Sequence, residues 1–243
     1  MGRYDEYKRR VLRISQRLSA DGYFGSKSGS AGNVSMLVED EDVVVVTPTR
    51  LRYDGMTIED VCVVDLDLAR IEGERKPSIE TPMHVATYKV RADVSAIIHT
   101  HQTFASALSV LNQPIPPLFD EVTLAIGNTV EVVPYALSGT RELHDNVART
   151  LANRCHCYII QNHGALCIGA DFDETFTFVE LLEKSATIYM QALATGKPVT
   201  VLPDKIVAQL HSAVIARQDR EIARKQERRN ARINAAPQAE PSH

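Results

Sequence analysis

Two of the chain's eight histidines, His99 and His101, stand one residue apart at the end of an apolar run that begins at Val94. Alternate residues of a β-strand project from one face, so a His-x-His pair in a strand can aim both imidazoles at one ion. A third, His163, lies in an Asn162-His163-Gly164 turn between two apolar segments. Three imidazoles with a fourth position left open are the donor set of a catalytic zinc site. By spacing alone, they could equally be three unrelated polar side chains. Glu80 follows Pro77-Ser78-Ile79 and opens a helical segment, where positive backbone N–H groups favour a carboxylate. An ordinary first-turn glutamate has the same signature. Ser30-Ala31-Gly32-Asn33-Val34-Ser35 offers backbone N–H groups and short donors, the means by which loops cradle anions. Thr47-Pro48-Thr49 could add a second such turn, and each is also a common surface loop.

The elements that must hold these residues follow from periodicity and punctuation. Tyr7, Val11, Ile14 and Leu18 predict an amphipathic helix over Tyr4–Ala20, ended by Asp21-Gly22. Val34–Val38 and Val43–Thr47 predict a hairpin whose acidic turn is Glu39-Asp40-Glu41-Asp42, and Val61–Val64 and Ala69–Ile71 two further strands. Thr81–Val90 reads as a helix with Pro82 in its first turn. Val94–His99 reads as a buried strand and Thr103–Leu111 as a helix; Pro114, Pro116 and Pro117 mark an extended loop. A strand at Val130–Pro134 precedes a helix over Ser138–Leu151, capped by Ser138 or Thr140 with Glu142 in its first turn. Tyr158–Gln161 and Ala165–Ile168 read as strands around the His163 turn, and Phe172–Ala194 as a long helix.

Composition excludes several classes. With 44% hydrophobic and 24% charged residues the chain is an average globular one, and it has no apolar run long enough for a transmembrane helix. The segment Met1–Arg10 lacks the apolar core of a signal peptide, which points to a cytoplasmic protein with no membrane partner. A net charge of −4 argues against a general nucleic-acid binder. Four cysteines, at 62, 155, 157 and 167, are too few for a disulfide scaffold and read as reduced thiols. Cys155 and Cys157 would share one face of a strand; core or surface thiols fit them better than a metal pair. After Pro203 the character changes. Residues 212–243 carry seven Lys/Arg against four Asp/Glu, a net +3 that leaves −7 on the rest. The expected organisation is a catalytic domain over 1–203 and a helical tail over 204–243. In the tail, Asp204 could cap a solvated basic helix to about Ile233, held by intra-helix ion pairs, with a disordered end.

In order and spacing, six segments resemble the class II aldolase/adducin family. They are Ser30–Ser35, Val45-Val46-Thr47-Pro48-Thr49, Pro77-Ser78 with Glu80, Ile98–His101, Pro134-Tyr135-Ala136 with Gly139–Leu143, and Gln161–Ala165. No single motif is decisive; the ordered set is specific and spans about residues 5 to 200. The resemblance implies an α/β fold with αβα layers around a central, mainly antiparallel sheet, to which this chain adds its C-terminal basic helix. It also implies a cyclic homotetramer with active sites at subunit interfaces. It implies zinc, or manganese or cobalt, on His99, His101 and His163, with Glu80 as a fourth ligand that turns acid/base. Ser30, Asn33, Thr49 and Ser78 match positions that hold a substrate phosphate. The activity implied is cleavage of a ketose 1-phosphate to dihydroxyacetone phosphate and an aldehyde through a zinc-stabilised enediolate.

Three departures from the family's aldolase pattern stand out. Arg50 occupies the position of a glycine after Thr-Pro-Thr and could grip phosphate or carboxylate bidentately. Ile79 replaces a serine before the glutamate. After Ile115-Pro116-Pro117, Asp120 falls about where the aldolases carry a tyrosine that donates a proton across the interface. A family decarboxylase of a 3-keto acid, with or without phosphate, is therefore the alternative. A sugar-phosphate 4-epimerase and a non-catalytic adducin-like module fit less well. His84, one turn after Glu80, could line the same pocket, whereas His144, His156, His211 and His243 read as surface or helix positions.

Overall fold

The computed structural model describes residues 2–25, 31–39 and 41–235. The phosphate-binding role expected of Ser30, the turn residue Asp40 and the disorder expected after residue 235 lie outside them. The described residues form seven α-helices: α1 (Asp5–Ala20), α2 (Thr81–Val90), α3 (Thr103–Leu111), α4 (Asp120–Ile126), α5 (Arg141–Thr150), α6 (Phe172–Ala194) and α7 (Asp204–Ala235). They also form eight strands: β1 (Asn33–Val38), β2 (Val43–Val46), β3 (Cys62–Asp65), β4 (Arg70–Glu72), β5 (Ala96–Thr100), β6 (Val132–Val133), β7 (Cys157–Ile160) and β8 (Gly164–Gly169). The strands make one sheet in the order β4-β3-β2-β1-β5-β8-β7-β6. Every neighbouring pair is antiparallel except β6 and β7, which run parallel.

The unbroken valines of β2 show why the sheet lies between two helical layers. Val43 and Val45 face one core cluster, with Val11, Leu18, Leu108 and Val179 of α1, α3 and α6. Val44 and Val46 face the other, with Met83, Val85, Leu143 and Val147 of α2 and α5. A strand covered on both faces needs apolar residues at every position, not alternate ones.

The structure moves several expected boundaries. The strand expected from Val94 begins at Ala96, and the one expected over Val130–Pro134 shrinks to Val132–Val133 because Val130 bridges to Ile115 instead. The helix α4 was not expected. Seven residues are too few for a periodic signal, yet Asp120 and Glu121 suit its first turn and Val122 and Ile126 are buried one turn apart. Thr140, not Ser138, caps α5: its hydroxyl accepts from Leu143 N at 3.4 Å.

Three further expectations are corrected. Cys155 and Cys157 do not share a face, because β7 begins only at Cys157 and the two thiols enter opposite cores. His156 is not a surface residue; it is 3% exposed, stacked on Phe178 at 4.6 Å. And α7 is not merely a solvated helix. It lines clefts together with Glu39, Asp93 and Ala170 and buries Val207, Val214 and Gln218. Alongside the internal Arg224–Glu221 pair, its charges reach the rest of the fold. Arg154–Asp219 is 2.7 Å, Arg217–Glu174 3.7 Å, Lys225–Glu39 3.5 Å and Arg229–Asp42 3.3 Å.

Candidate metal centre and anion cleft

Strand register assembles the centre. On the sheet's three central strands, Asn33 of β1 pairs with His99 of β5, and Thr100 pairs with Ala165 of β8. The start of β1, the end of β5 and the start of β8 therefore lie together, and the Asn162-His163-Gly164 turn closes over the His-x-His segment. Asn162 takes a left-handed conformation, φ 53°, to make that turn. Gly164 makes the closure possible, since a Cβ there would sit 2.3 Å from the Thr100 carbonyl and 2.9 Å from the His101 ring.

The three imidazole rings have centroids 4.7 to 5.0 Å apart, and their ligating nitrogens all lie within 4.8 Å of one another. His99 is fully buried and its Nδ1 lies 2.9 Å from the Ala165 carbonyl oxygen. A carbonyl can only accept, so Nδ1 carries the proton and Nε2 is a bare lone pair. That lone pair is 3.0 Å from His101 Nε2 and 3.2 Å from Glu80 Oε2. Glu80 Oε1 is 3.3 Å from His163 Nε2. Burial, then the neighbouring His163 and His101, holds His99 far below the usual imidazole range; burial and His163 bring His101 to about 4. Neutral imidazoles are the ligating form. A carboxylate oxygen facing a bare imidazole nitrogen at this distance is repulsive unless positive charge stands between them. The donor set thus fits a divalent cation, and nitrogen with carboxylate oxygen suits zinc, cobalt or manganese.

Glu80 sits at the N-cap of α2 with Pro82 in the first turn. Its Oε2 accepts from Asn33 Nδ2 at 2.7 Å and its backbone N–H donates to Ser78 Oγ at 3.2 Å. An antiparallel bridge between Pro48 and Pro77 aligns the two turns beside it: Ser78 N donates to the Thr47 carbonyl and Thr49 N to the Lys76 carbonyl, both at 3.0 Å. These segments wall a cleft of about 230 Å³ that holds Asn33, Thr49, Arg50, Ser78, Glu80, His101 and His163. The expected site residues thus come together, apart from Ser30 and Asp120. Asp120 is exposed in the first turn of α4 and is not part of the cleft wall. His84 does not line the cleft either. It is fully buried behind Glu80, bonded through Nδ1 to Ser35 Oγ at 2.7 Å, and burial brings it down to about 4.

Sequence reasoning missed Ser138 as a site residue. Once Thr140 takes the capping role, Ser138 is left facing the cleft. The signal was present as two adjacent capping candidates of which only one was needed. Arg50 has φ 55°, so it keeps the left-handed backbone that a glycine adopts freely, at a cost on the order of 1 kcal/mol.

Comparison with known proteins agrees with this geometry. Residues 9–190 match the family model described as class II aldolase and adducin N-terminal domain. The L-fuculose phosphate aldolase of Escherichia coli O6:H1 is 36% identical over 184 residues, covering 76% of this chain and 84% of that protein. The 5-deoxy-D-ribulose 1-phosphate aldolase of Bacillus thuringiensis is 33% identical over 180 residues, 74% of this chain and 83% of that one. Among solved structures, an L-fuculose 1-phosphate aldolase superposes with TM-score 0.80 at 30% identity, covering 85% of this chain and 95% of the other. The chain belongs to the class II aldolase and adducin N-terminal domain family, and its relatives set it among the class II aldolases. The match ends at residue 190, so α7 lies beyond it.

Proposed function

We propose that this protein is a metal-dependent lyase that cleaves a ketose 1-phosphate to dihydroxyacetone phosphate and an aldehyde. The observation that carries the reading is the convergence of Glu80 and the bare Nε2 of His99 beside a cleft lined by short donors. His99, His101 and His163, with Glu80, would hold the ion, zinc by preference and manganese or cobalt as substitutes. A divalent ion bound there would supply Lewis-acid stabilisation of negative charge developing on a carbonyl oxygen.

The chain's own residues supply the rest. Glu80 exchanges the proton at the carbon next to the carbonyl, as acid or base. Asn33 holds one carboxylate oxygen of Glu80 at 2.7 Å, which fixes the direction of that transfer. Asn33, Thr49, Arg50 and Ser78 bind the phosphate, joined by Ser30. Asp120, which is not part of its own cleft wall, would act as proton donor in the cleft of a neighbouring copy. The exposed Tyr135 and Leu137 beside Ser138 support the same assembly, a homotetramer whose cleft mouth is covered by a second copy.

The test is deuterium exchange into dihydroxyacetone phosphate followed by NMR, with metal-loaded protein and a Glu80→Gln control. Exchange that disappears in the control supports the aldolase reading. No exchange from a metal-loaded, assembled protein overturns it in favour of decarboxylation of a 3-keto acid. Arg50 and Ile79 favour that second reading, because together they remove a hydroxyl donor and add a guanidinium.

A further inference from the structure

We infer that Ser35 and His84 are positioning residues for Glu80. A hydrogen-bond chain from Tyr88 through Ser35 holds His84 in the tautomer with its proton on Nε2, a donor for the pocket it shares with Glu80 and Asn33. The inference deepens the lyase reading and rests on it only in giving Glu80 the proton transfer.

The side chains fall in two matched rows. Glu80, at the N-cap of α2, is followed at intervals of four by His84 and Tyr88, so the three share one face. Asn33 and Ser35 share one face of β1. Asn33 Nδ2 donates to Glu80 at 2.7 Å. One step along, Ser35 Oγ lies 2.7 Å from His84 Nδ1 and 2.8 Å from the Tyr88 hydroxyl. The layer around them is apolar. The cross-strand neighbours of Ser35 are Val46 and Ile97, both fully buried, and Met83 and Val85 belong to the same core cluster. Ser35 and His84 are fully buried as well. Polar groups in such a layer are costly unless each is bonded, which makes the direction of each bond decidable.

Counting protons gives that direction. The serine hydroxyl has one proton to give. If His84 gave its Nδ1 proton to Ser35, Ser35 would give its own to Tyr88, and the Tyr88 proton would meet no acceptor among the described residues. His84 Nε2 would then be a third lone pair beside the unpartnered acceptors Glu80 Oε1 and Asn33 Oδ1. In the other direction Tyr88 donates to Ser35 and Ser35 donates to His84 Nδ1. The imidazole proton then stands on Nε2, the one donor among these three buried atoms. Burial brings His84 down to about 4, against the opposing pull of the Glu80 carboxylate, so the ring is neutral at neutral pH. That same carboxylate favours an N–H on the ring over a second lone pair. His99, in the metal centre, has the opposite tautomer, with its proton on Nδ1 facing the Ala165 carbonyl. A donor behind Glu80 steadies the carboxylate and its direction, whereas a lone pair there would repel it.

The experiment is magic-angle-spinning nitrogen NMR of the zinc-loaded full chain, isotope-labelled at histidine Nδ1 alone, read beside turnover of a ketose 1-phosphate. The His84 signal is identified by its displacement in Tyr88→Phe, which removes one hydroxyl and keeps the ring. In the native chain it is expected to be that of a bare, hydrogen-bonded nitrogen, and the His99 signal that of an N–H. Ser35→Ala is expected to strip that bond, mix the two tautomers and lower turnover roughly tenfold to a hundredfold with KM unchanged. Adding Tyr88→Phe to Ser35→Ala should lower turnover no further, because the chain is already cut. A protonated Nδ1 on His84 in the native chain overturns the inference, a result that needs no Ser35 variant to fold. So does a Ser35→Ala protein that loses melting temperature but keeps native turnover, which would make the role structural alone. Both leave the lyase reading standing. A bare His84 Nδ1 in a zinc-loaded chain that cleaves no ketose phosphate would remove the lyase reading and leave the tautomer in place.

Discussion

Each end of the central sheet buries histidine beside a carboxylate, and the two ends satisfy it in opposite ways. At the end under α7, Asp93 receives two bonds from Arg91 at 2.8 Å, and Arg91 also donates to the Cys155 carbonyl at 2.7 Å. His156 gives its Nδ1 proton to the Ile168 carbonyl and accepts from Gln218 at its Nε2, both at 2.9 Å. Each of these donors meets an acceptor. At the other end, His99 Nε2 and Glu80 Oε2 are acceptors facing each other at 3.2 Å, and Glu80 Oε1, Asn33 Oδ1 and His163 Nδ1 have no hydrogen-bond partner among the described residues. A closed network needs nothing further and holds α7 to the sheet. A set of converging acceptors is completed by a cation. Buried histidines and acids therefore indicate function only when their hydrogen-bond accounts are left open.

The sharpest way to test that contrast is to remove one member from each end. His163→Ala or His99→Ala is expected to abolish metal binding and activity while the far-end network keeps the fold, read by elemental analysis and circular dichroism. Full activity in a metal-free variant would remove the contrast. Asp93→Ala should act in the opposite sense. It leaves a buried guanidinium unpaired, 4% exposed, and should cost about 3–5 kcal/mol in denaturant unfolding with metal content unchanged. Glu80→Gln should keep the metal and lower turnover by roughly 10²-fold or more, because the amide cannot exchange a proton. Gln218→Leu should cost about 1–3 kcal/mol by stripping His156 Nε2 of its donor, and should loosen α7 in hydrogen exchange.

The smallest expected effect is a pH slope. Burial, then the nearby Arg91, brings His156 down to about 3. A histidine depressed below its unfolded value of roughly 6.5 binds fewer protons folded than unfolded between those two pH values. Its contribution is therefore fully present above about pH 6.5 and is lost as pH falls toward 3, at no more than about 1.4 kcal/mol per pH unit. His156→Gln should flatten that part of the acid unfolding curve. An unchanged slope would mean that the acid sensitivity comes from elsewhere.

Residues whose neighbours in sequence are also their neighbours in space were legible from the start. The Phe172–Ala194 helix carries its pattern through more than six turns, and its bounds agree with the periodicity. The His-x-His pair needs only a strand to share a target, and β5 provides it. The short helix after Phe119 and the burial of His156 were not legible. In both cases the deciding partner comes from far along the chain: α6 and α7 for the one, Gln218 for the other.

By itself, then, the sequence determined the donor chemistry, the family and most of the elements, since these depend on residue type and local spacing. It also determined that a glycine-like turn carries Arg50. Only the tertiary structure decided which acceptors were left facing one another and which were satisfied. Strand register brings Asn33 to His99 across 66 residues, and an antiparallel bridge brings Thr49 to Ser78. It also decided that α7 is a packed part of the fold, because its carboxylate and carbonyl partners are spread from Glu39 to Glu174. Hydrogen-bond closure is a property of groups brought together by folding, and no local pattern encodes it.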